Sequence, residues 1–454
     1  LAATVTDRRG GVARFSWTAV ADVGGGRLQS YDLRCADAAI TDEAGWMAAD
    51  TFVVSVAPGS PGAMQSEDIG GFRPGETVFC VLRAADAGGA LTPIPAMGAS
   101  VTLAFLEQEV QSGSVGSARM GELVAPIGDV NGDGVDDVLV GGRGEAYLYF
   151  GSSTGLGATA NVTFTSTASG NRFGRTIAGI GDFNGDGRGD IAIGDNGFAV
   201  GGENFQGAVY VLFGRPSTTP WPSTIDVFAS STAPFTCTGA DVCFVSDDGV
   251  AGTGADAFSA FGWSISTAGD FDGDGLMDLA VGATGLGGGN PGHVYILLGS
   301  MSYTSGTAAA VPGTTGPDGF VISGDGVTQV GFGNAVSTLG GDLGGDMLHD
   351  LIISASGNAG MGIGARVSFL TGRAYTGSGL VRIPLSGAQT VGTGTASAYG
   401  LAISGGGDIN GDGFLDALVH NTASGGRITA YLGAASGFTG ATTITYTSDS
   451  PSSA

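Results

Sequence analysis

An aspartate-rich loop recurs five times along the chain, and this repetition constrains the fold more than any other feature of the sequence. The loops read GDVNGDGVDD, GDFNGDGRGD, GDFDGDGLMD, GDLGGDMLHD and GDINGDGFLD, and their first aspartates are Asp129, Asp182, Asp270, Asp342 and Asp408. An aromatic or apolar residue and a glycine precede each loop, with the glycine at Gly121, Gly174, Gly262, Gly333 and Gly400. A short apolar run and a second run ending in glycine follow it. Elements that repeat in a fixed order predict a series of stacked supersecondary units.

The glycine content indicates the kind of unit. The chain has 87 glycines in 454 residues and no Gly-X-Y period, so the glycines serve many separate turns. Short apolar runs between frequent turns are typical of β-strands. We therefore expect an all-β protein in which each aspartate-rich loop joins two strands.

The charge balance limits the possible partners. The chain has 42 acidic residues against 17 basic ones, a formal net charge of −25, and no lysine. Such a chain is a poor partner for nucleic acid and for anionic membranes, and lysine chemistry is excluded. An acidic surplus indicates either a solvated, salt-adapted surface or carboxylates held by cations. The regular spacing of the aspartates favours the cations.

Each intact loop has the pattern D-x-[DN]-x-D-G-x-x-D. This pattern sends side-chain oxygens from positions 1, 3, 5 and 9 to one point, with the carbonyl of position 7 as a further ligand. Several carboxylates without nitrogen or sulfur ligands favour Ca²⁺ over Mg²⁺, and glycine at position 6 permits the tight turn. The sequence predicts about four Ca²⁺ ions. Their ligands are Asp129, Asn131, Asp133, Val135 and Asp137; Asp182, Asn184, Asp186, Arg188 and Asp190; Asp270, Asp272, Asp274, Leu276 and Asp278; and Asp408, Asn410, Asp412, Phe414 and Asp416.

The fourth loop departs from this pattern. Gly344 replaces the position-3 ligand and Met347 replaces the glycine, which leaves a weak candidate site of Asp342, Asp346 and Asp350. An EF-hand would require a glutamate at position 12. The twelfth residues of the intact loops are apolar instead, namely Val140, Ile193, Val281 and Val419. We therefore expect these residues to lie in strands.

This repeated unit resembles the FG-GAP repeat of integrin α-subunit β-propellers. It has the same order of an aromatic-glycine pair, an aspartate loop and a short apolar run such as VGA. The resemblance covers residues 106–454 and implies a calcium-stabilised propeller that acts in adhesion or ligand recognition. A four-stranded blade takes roughly 45 residues, so a ring closed within this chain would have five blades. The family has seven, which would require a longer parent chain. The 88 residues between Asp182 and Asp270 predict an insertion around residues 216–258.

Residues 1–105 lack the aspartate loops and form a separate predicted domain. Alternating runs such as VARFSWTA and LQSYDLRCA predict the strands of a β-sandwich. The runs FSWTA and IGGFRPGETVFCVLRAAD resemble a fibronectin type III domain. That resemblance implies that Cys35 and Cys80 lie on neighbouring strands of one sheet.

Cysteine usage and chain composition bear on the cellular location. The four cysteines form two close sets, Cys35 with Cys80 and Cys237 with Cys243, which predict two disulfides and an oxidising compartment. Four unpaired buried thiols are the alternative. No segment approaches the ~18 consecutive apolar residues of a membrane span. The chain starts at Leu1 without methionine or signal peptide, so we interpret it as a mature or trimmed piece of a secreted or cell-surface protein.

Two functions are compatible with these features. The first is a calcium-dependent module that binds an extracellular protein or glycan without catalysis. The second is a lyase-like, polysaccharide-active enzyme on the same scaffold, for which the conceivable site residues are Arg143, Arg172, Arg175, His293 and Tyr399. The three histidines belong to no recognisable Ser-His-Asp set, which disfavours hydrolysis by such a triad.

Two further features have a functional and a structural interpretation. Trp221 and Trp263 could stack on sugars, but packing within blades is the favoured interpretation. The RGD tripeptide at Arg188 to Asp190 could be adhesive. Because Asp190 is a predicted metal ligand, its carboxylate is expected to point inward.

Overall fold

The computed structural model describes most of the chain, and its strands dominate as predicted. The described residues are 3–9, 12–20, 28–36, 38–52, 54, 56–69, 77–85, 91–93, 99–102, 120–152, 155–166, 172–199, 205–229, 236–246, 260–285, 291–311, 317–324, 331–357, 364–384, 389–394, 399–421, 427–434, 437–438 and 443–447. The chain divides into two compact units, Leu1–Glu109 and Val110–Ala454. The predicted boundary between residues 105 and 106 lies outside the described residues.

The first unit contains two β-sheets that share one core. Its elements are β1 (Ala3–Arg9), β2 (Val12–Thr18), β3 (Ser30–Ala36), α1 (Glu43–Ala48), β4 (Asp50–Phe52), β5 (Met64–Ile69), β6 (Thr77–Ala85) and β7 (Ala99–Thr102). The sheet orders are β1-β2-β5 and β4-β3-β6-β7. Buried apolar residues of both sheets form a single cluster, which includes Phe15, Trp17, Leu33 and Leu82. This is the arrangement of a β-sandwich, and its assignment as fibronectin type III stays a prediction.

The short helix α1 is fixed at its start by a capping aspartate. The Asp42 carboxylate accepts a hydrogen bond from Gly45 N (2.8 Å), which satisfies one of the free N–H groups of the first turn. Trp46 within the helix is buried, and the guanidinium groups of Arg34 and Arg83 lie 4.8 and 4.9 Å from the centre of its ring. Among the described residues there is no helix with the length and apolar character of a membrane span.

Both predicted disulfides are present. Cys35 on β3 lies directly opposite Cys80 on β6, and their Cα atoms are 4.1 Å apart. Cys237 is bonded to Cys243, so all four cysteines are paired. The alternative of unpaired thiols is therefore wrong.

The second unit consists of five antiparallel, four-stranded blades, numbered here along the chain. Blade 1 has β8 (Leu123–Gly128), β9 (Asp137–Gly141), β10 (Glu145–Tyr149) and β11 (Val162–Thr165). Blade 2 has β12 (Phe173–Gly181), β13 (Asp190–Asp195), β14 (Ala208–Leu212) and β18 (Val242–Ser246). Blade 3 has β19 (Phe261–Gly269), β20 (Asp278–Ala283), β21 (His293–Leu297) and β23 (Gly319–Ser323). Blade 4 has β24 (Phe332–Thr338), β25 (Leu351–Ala355), β26 (Ala365–Leu370) and β28 (Gln389–Gly394). Blade 5 has β29 (Tyr399–Gly407), β30 (Asp416–Asn421), β31 (Arg427–Tyr431) and β32 (Thr443–Thr447).

Three blades gain a fifth, parallel strand from the following repeat. β15 (Thr224–Asp226) pairs with β11, β22 (Thr307–Val311) with β18, and β27 (Leu380–Ile383) with β23. Each of these strands comes from the connection between the third and fourth strands of the next blade. The outer edge of one blade is thus closed by the backbone of its neighbour, which ties the two together.

The segment predicted as an insertion, residues 216–258, contains parts of the blade framework. β15 belongs to it, as does the hairpin of β16 (Phe228–Ala229) and β17 (Cys237–Thr238). β18 also lies within this segment, but it is the fourth strand of blade 2 and carries Cys243. The disulfide therefore joins the hairpin to a blade strand, and residues 230–235 and 247–258 lie outside the described part of the chain.

Apolar cores lie between successive blades. Four clusters of buried residues each combine side chains of one blade with side chains of the next, from blades 1 and 2 to blades 4 and 5. The second and third strands of blades 2 to 4 are therefore covered on both faces, and every residue of β13, β14 and β20 is buried. This double burial explains why these strands are continuous apolar runs rather than alternating ones.

The glycine of the aromatic-glycine pair is required by the close approach of two blades. Gly174, Gly262 and Gly333 have φ values of +79°, +82° and +86°. A Cβ atom on Gly174 would lie 2.3 Å from the carbonyl oxygen of Glu145, at the start of the third strand of the preceding blade. Gly121 has a similar φ of +86°, yet no atom of the described residues lies within 4 Å of its Cβ position.

Gly174→Ala and Gly121→Ala form a matched pair that isolates this contact. Both variants place a side chain in the left-handed region, but only Gly174→Ala also drives a methyl group into the neighbouring blade. We expect Gly174→Ala to lower the free energy of unfolding by about 1–3 kcal/mol more than Gly121→Ala does. Urea unfolding followed by tryptophan fluorescence measures this difference, and equal losses in the two variants would contradict the proposed contact.

Candidate metal centres

Each aspartate loop joins the first strand of a blade to the second, as the sequence predicted. The loops lie between β8 and β9, β12 and β13, β19 and β20, β24 and β25, and β29 and β30. The position-12 residues lie in the second strands, so these loops do not continue into the exiting helix that an EF-hand requires.

The carboxylate of position 1 organises the backbone of its loop. In the first loop, Asp129 Oδ1 accepts hydrogen bonds from Gly132 N (2.7 Å) and Asp133 N (3.1 Å), and Oδ2 accepts one from Gly134 N (2.7 Å). Gly134 at position 6 has φ +86°. In the fifth loop, backbone donors led by Gly413 N–H lower the pKa of Asp408, the equivalent of Asp129. The position-1 carboxylate thus serves as the acceptor around which the loop backbone turns.

Positions 3 and 5 form successive Asx turns. Asn131 Oδ1 accepts from Asp133 N (2.8 Å), and Asp133 Oδ1 accepts from Val135 N (2.9 Å). The Asn131 amide also donates to Asp133 Oδ2 (2.9 Å). These bonds fix the side chains of positions 3 and 5 within a compact turn.

The position-9 aspartate has a structural role that the sequence analysis did not assign to it. Asp190 is fully buried, and its two oxygens accept hydrogen bonds from Phe183 N (2.9 Å) and Gly214 N (2.8 Å). Phe183 is position 2 of the same loop, and Gly214 follows the third strand of the blade. The same pair of bonds, to position 2 and to the glycine after the third strand, is made by Asp137, Asp278, Asp350 and Asp416.

Burial raises the pKa of three of these carboxyl groups. The pKa rises to about 6 for Asp137, about 7 for Asp190 and about 8 for Asp278. The two backbone N–H donors lower it, while the other aspartates of the loop raise it further by repulsion. A bound cation would oppose both the desolvation and the repulsion.

The third loop brings its carboxylates closest together. One oxygen from each of Asp270, Asp272 and Asp278 lies within 4.8 Å of the others, so this group could hold a metal ion. An all-oxygen set with several carboxylates suits Ca²⁺. In the other three intact loops, position 3 is an asparagine, whose amide donates to the position-5 carboxylate. The ligand sets of those loops, with their position-7 carbonyls, stay predictions.

Neighbouring loops are joined by backbone hydrogen bonds. The N–H of position 8 donates to the position-1 carbonyl of the preceding loop, through Gly189 to Asp129 (3.2 Å), Met277 to Asp182 (3.0 Å) and His349 to Asp270 (3.0 Å). Three further bonds run to the position-2 carbonyls, from Arg215, Ser300 and Arg373 (2.8, 2.9 and 2.9 Å). In the described part of the chain, neither kind of bond joins the fifth loop to the fourth.

The fourth loop keeps the framework, although it lacks the position-3 ligand and the position-6 glycine, and its weak candidate site of Asp342, Asp346 and Asp350 stays a prediction. Asp342 Oδ1 and Oδ2 still accept from Gly345 N and Met347 N. Met347 adopts the left-handed conformation of the glycine it replaces, with φ +69°, and is 89% exposed. His349 Nδ1 accepts a hydrogen bond from Asp270 N (3.0 Å), so it serves the contact with the third loop.

The residues considered for a catalytic site are engaged in separate contacts. Arg143 pairs with Glu122 (3.0 Å), and the Arg172 guanidinium lies over the ring of Phe205. Tyr399 is buried in the core of blade 5, where its hydroxyl contacts that of Tyr431 (2.6 Å). His293 Nδ1 lies 2.9 Å from Ser323 Oγ, which also accepts a hydrogen bond from Arg382 (2.8 Å). The sequence analysis did not find this serine-histidine pair, because strand pairing brings together residues 30 positions apart.

Trp221 and the RGD tripeptide have structural roles, while the packing role of Trp263 stays a prediction. Trp221 is buried and packs edge-on against Phe164 of blade 1. In the RGD tripeptide, Asp190 is the buried carboxylate described above, and the Arg188 side chain is paired with Asp186 (2.9 Å). The acidic group of the tripeptide is thus inaccessible to an adhesion receptor.

Single replacements of Asp278 and Asp274, measured without metal, distinguish the structural role of position 9 from the role of a residue that is only a predicted ligand. We expect Asp278→Ala to reduce the free energy of unfolding by about 2 kcal/mol in a chelator, because it leaves two buried N–H groups without an acceptor. The exposed Asp274→Ala variant should change stability by less than about 0.5 kcal/mol in a chelator. Urea unfolding with excess chelator measures both values, and an unchanged midpoint for Asp278→Ala would contradict the framework role.

Comparisons with known proteins agree with this geometry. The family model described as FG-GAP repeat matches residues 261–297, and the FG-GAP-like repeat matches residues 129–193. Integrin alpha-8 of Mus musculus is 31% identical over 178 residues, which is 36% of this chain and 14% of that protein. Integrin alpha-5 of Xenopus laevis is 32% identical over 175 residues, or 35% and 14%. The matched segment thus spans about a seventh of these relatives. The chain is a protein with FG-GAP repeats that it shares with integrin alpha subunits.

Proposed function

We propose that the second unit is a calcium-stabilised module that recognises an extracellular ligand. The repeated aspartate loop supports this proposal, because four of its five copies keep a residue pattern rich in the oxygen ligands that Ca²⁺ prefers, and the carboxylates of the third loop converge. The resemblance to integrin alpha subunits supports adhesion or ligand recognition, with a protein or a glycan as the ligand. Two disulfides support a secreted or cell-surface location.

The role proposed for calcium is mechanical. The loops and the buried position-9 aspartates connect the first, second and third strands of each blade. A cation on the loop would neutralise repulsion between carboxylates and add ligand bonds on the same residues. It would stiffen this end of the blades and, through the hydrogen bonds between loops, the contacts of blades 1 to 4.

Calcium titration of metal-free protein tests the metal part of this proposal. Calorimetry should give about four ions per chain, and calcium at 100 times the dissociation constant should add about 2.7 kcal/mol of stability for each occupied site. A matched variant, Gly344→Asn with Met347→Gly, restores the intact pattern to the fourth loop and should add one ion. Unchanged stability in calcium and in chelator would contradict the proposal.

Binding and turnover assays test the recognition part. The protein should be retained on an immobilised extracellular protein or polysaccharide in calcium and released by chelator, with no shortening of the polysaccharide. The Asp274→Ala variant should show weaker, calcium-shifted retention. Release of oligosaccharide products at a rate proportional to protein concentration would instead identify the enzymatic alternative.

A further inference from the structure

The described acidic residues of blades 3 and 4 all lie at one end of these blades. Most belong to the third and fourth aspartate loops. Asp318 lies at the same end, because its carbonyl accepts a hydrogen bond from Leu298 N (3.1 Å), just after the third strand of blade 3. The loop members are Asp270, Asp272, Asp274, Asp278, Asp342, Asp346 and Asp350. The opposite end of both blades, where the second strand leads into the third, has no carboxylate among the described residues.

Basic side chains lie at this opposite end instead. His293 on β21 lies opposite Ala283, the last residue of β20, and Arg366 on β26 lies opposite Ala355, the last residue of β25. His293 and Arg366 thus hold the same position in successive blades. Arg382 lies on the parallel strand β27, which pairs with β23 of blade 3. In a chain with 17 basic residues against 42 acidic ones, this grouping separates the charges along each blade.

Two of these basic side chains meet at one hydroxyl group. His293 Nδ1 lies 2.9 Å from Ser323 Oγ, and Arg382 Nη1 donates a hydrogen bond to the same oxygen (2.8 Å). We call His293, Ser323 and Arg382 the Ser323 cluster. Its members come from β21, β23 and β27, which are adjacent strands of one sheet. A group mounted on paired strands is held more precisely than one on a loop.

The Arg382 guanidinium is available to a ligand. The side chain is exposed, and in the described part of the chain no carboxylate lies within ion-pair distance of it. The ion pairs between described residues use other arginines, which are Arg34, Arg83, Arg143, Arg188 and Arg215. Ser323 accepts from one N–H group of Arg382, and the remaining donors of the planar guanidinium match a carboxylate or a sulfate.

The surface around the Ser323 cluster favours a polysaccharide over a protein as the ligand. Protein interfaces are anchored by apolar and aromatic side chains. Among the described residues of blades 3 and 4, the exposed large apolar side chains are Met301, Met347 and Val381, and both methionines belong to the loop end. Of these, Val381 alone lies beside the cluster. A polymer with an anionic group on its sugar units would instead meet basic side chains in successive blades.

We propose that the Ser323 cluster and Arg366 bind the carboxylate or sulfate groups of an acidic polysaccharide. The inference rests on the ligand recognition proposed above and narrows its ligand. Arg382 would bind one anionic group in a bidentate contact beside His293, and Arg366 would bind a group further along the polymer. The net charge of −25 repels a polyanion at long range. Salt at about 0.15 M screens this repulsion beyond about 8 Å, while the direct contacts persist.

Retention on immobilised polygalacturonate and dextran sulfate in salt at about 0.15 M, with neutral dextran as the reference, tests this proposal. The protein should bind an acidic polymer and not dextran, and the polymer with the stronger retention identifies carboxylate or sulfate as the preferred group. Arg382→Gln should weaken binding by at least about 10-fold, and Ser323→Ala by about 3-fold.

Arg143→Gln is the matched control for the change of net charge. Arg143 is already paired with Glu122 in blade 1, so this variant should bind as the wild type does. Val381→Gln, next to Arg382 in β27, is the control for local disturbance of the strand and should also bind normally. Unfolding midpoints verify that each variant is folded.

The outcomes separate this inference from the proposed function. Equal retention on dextran and on the acidic polymers overturns the inference, as does undiminished binding by Arg382→Gln. Retention on an extracellular protein with none on either acidic polymer also overturns it, while the proposed function stands. The Ser323 cluster contains no residue of an aspartate loop. Binding that is lost in Arg382→Gln, in a protein whose stability does not respond to calcium, would therefore support the inference and contradict the role proposed for calcium.

Discussion

A buried carboxylate with two backbone donors is the interaction on which the blades depend. The position-9 aspartate accepts hydrogen bonds from an N–H group at the start of its own loop and from the glycine that follows the third strand. It therefore fixes three strands of a blade relative to each other at one end. Its burial is costly for a charged group, and the two N–H donors and the proposed cation are what offset that cost. This explains why the fourth loop keeps Asp350 after losing other parts of the motif.

The contacts between loops extend this local order along the blades. Position 8 of each loop is bonded to position 1 of the preceding loop as far as the fourth. The parallel strands β15, β22 and β27 make a second set of ties at the outer edges. Successive blades from 1 to 4 are thus joined at the aspartate loops and at the fourth strands. The apolar clusters fill the space between these two sets of hydrogen bonds. In the described part of the chain, no bond of either kind joins blade 5 to blade 4.

The sequence predicted the features that local chemistry determines. The aspartate spacing located five loops between strands, and the paired cysteines located both disulfides. The fourth strands and the parallel strands were not located, because their pairing depends on neighbours distant in the chain rather than on a local pattern. The dual role of Asp190 was missed for a similar reason, since Gly214 lies 24 residues away. The pairing of Tyr399 with Tyr431 also depends on how blade 5 folds.

Hydrogen exchange of the loop amides, compared between calcium and chelator, tests the account most directly. Asp137, Asp190, Asp278 and Asp416 each accept hydrogen bonds from the position-2 amide and from the amide of the glycine after the third strand. These amides should be protected from exchange in both conditions, because a buried carboxylate holds them. The position-6 amides of Gly134, Gly187, Gly275 and Gly413 should exchange more slowly in calcium, and that of Met347 should not change. Equal exchange of all five position-6 amides in calcium and chelator would contradict the account, as would rapid exchange of the amides bonded to the buried carboxylates.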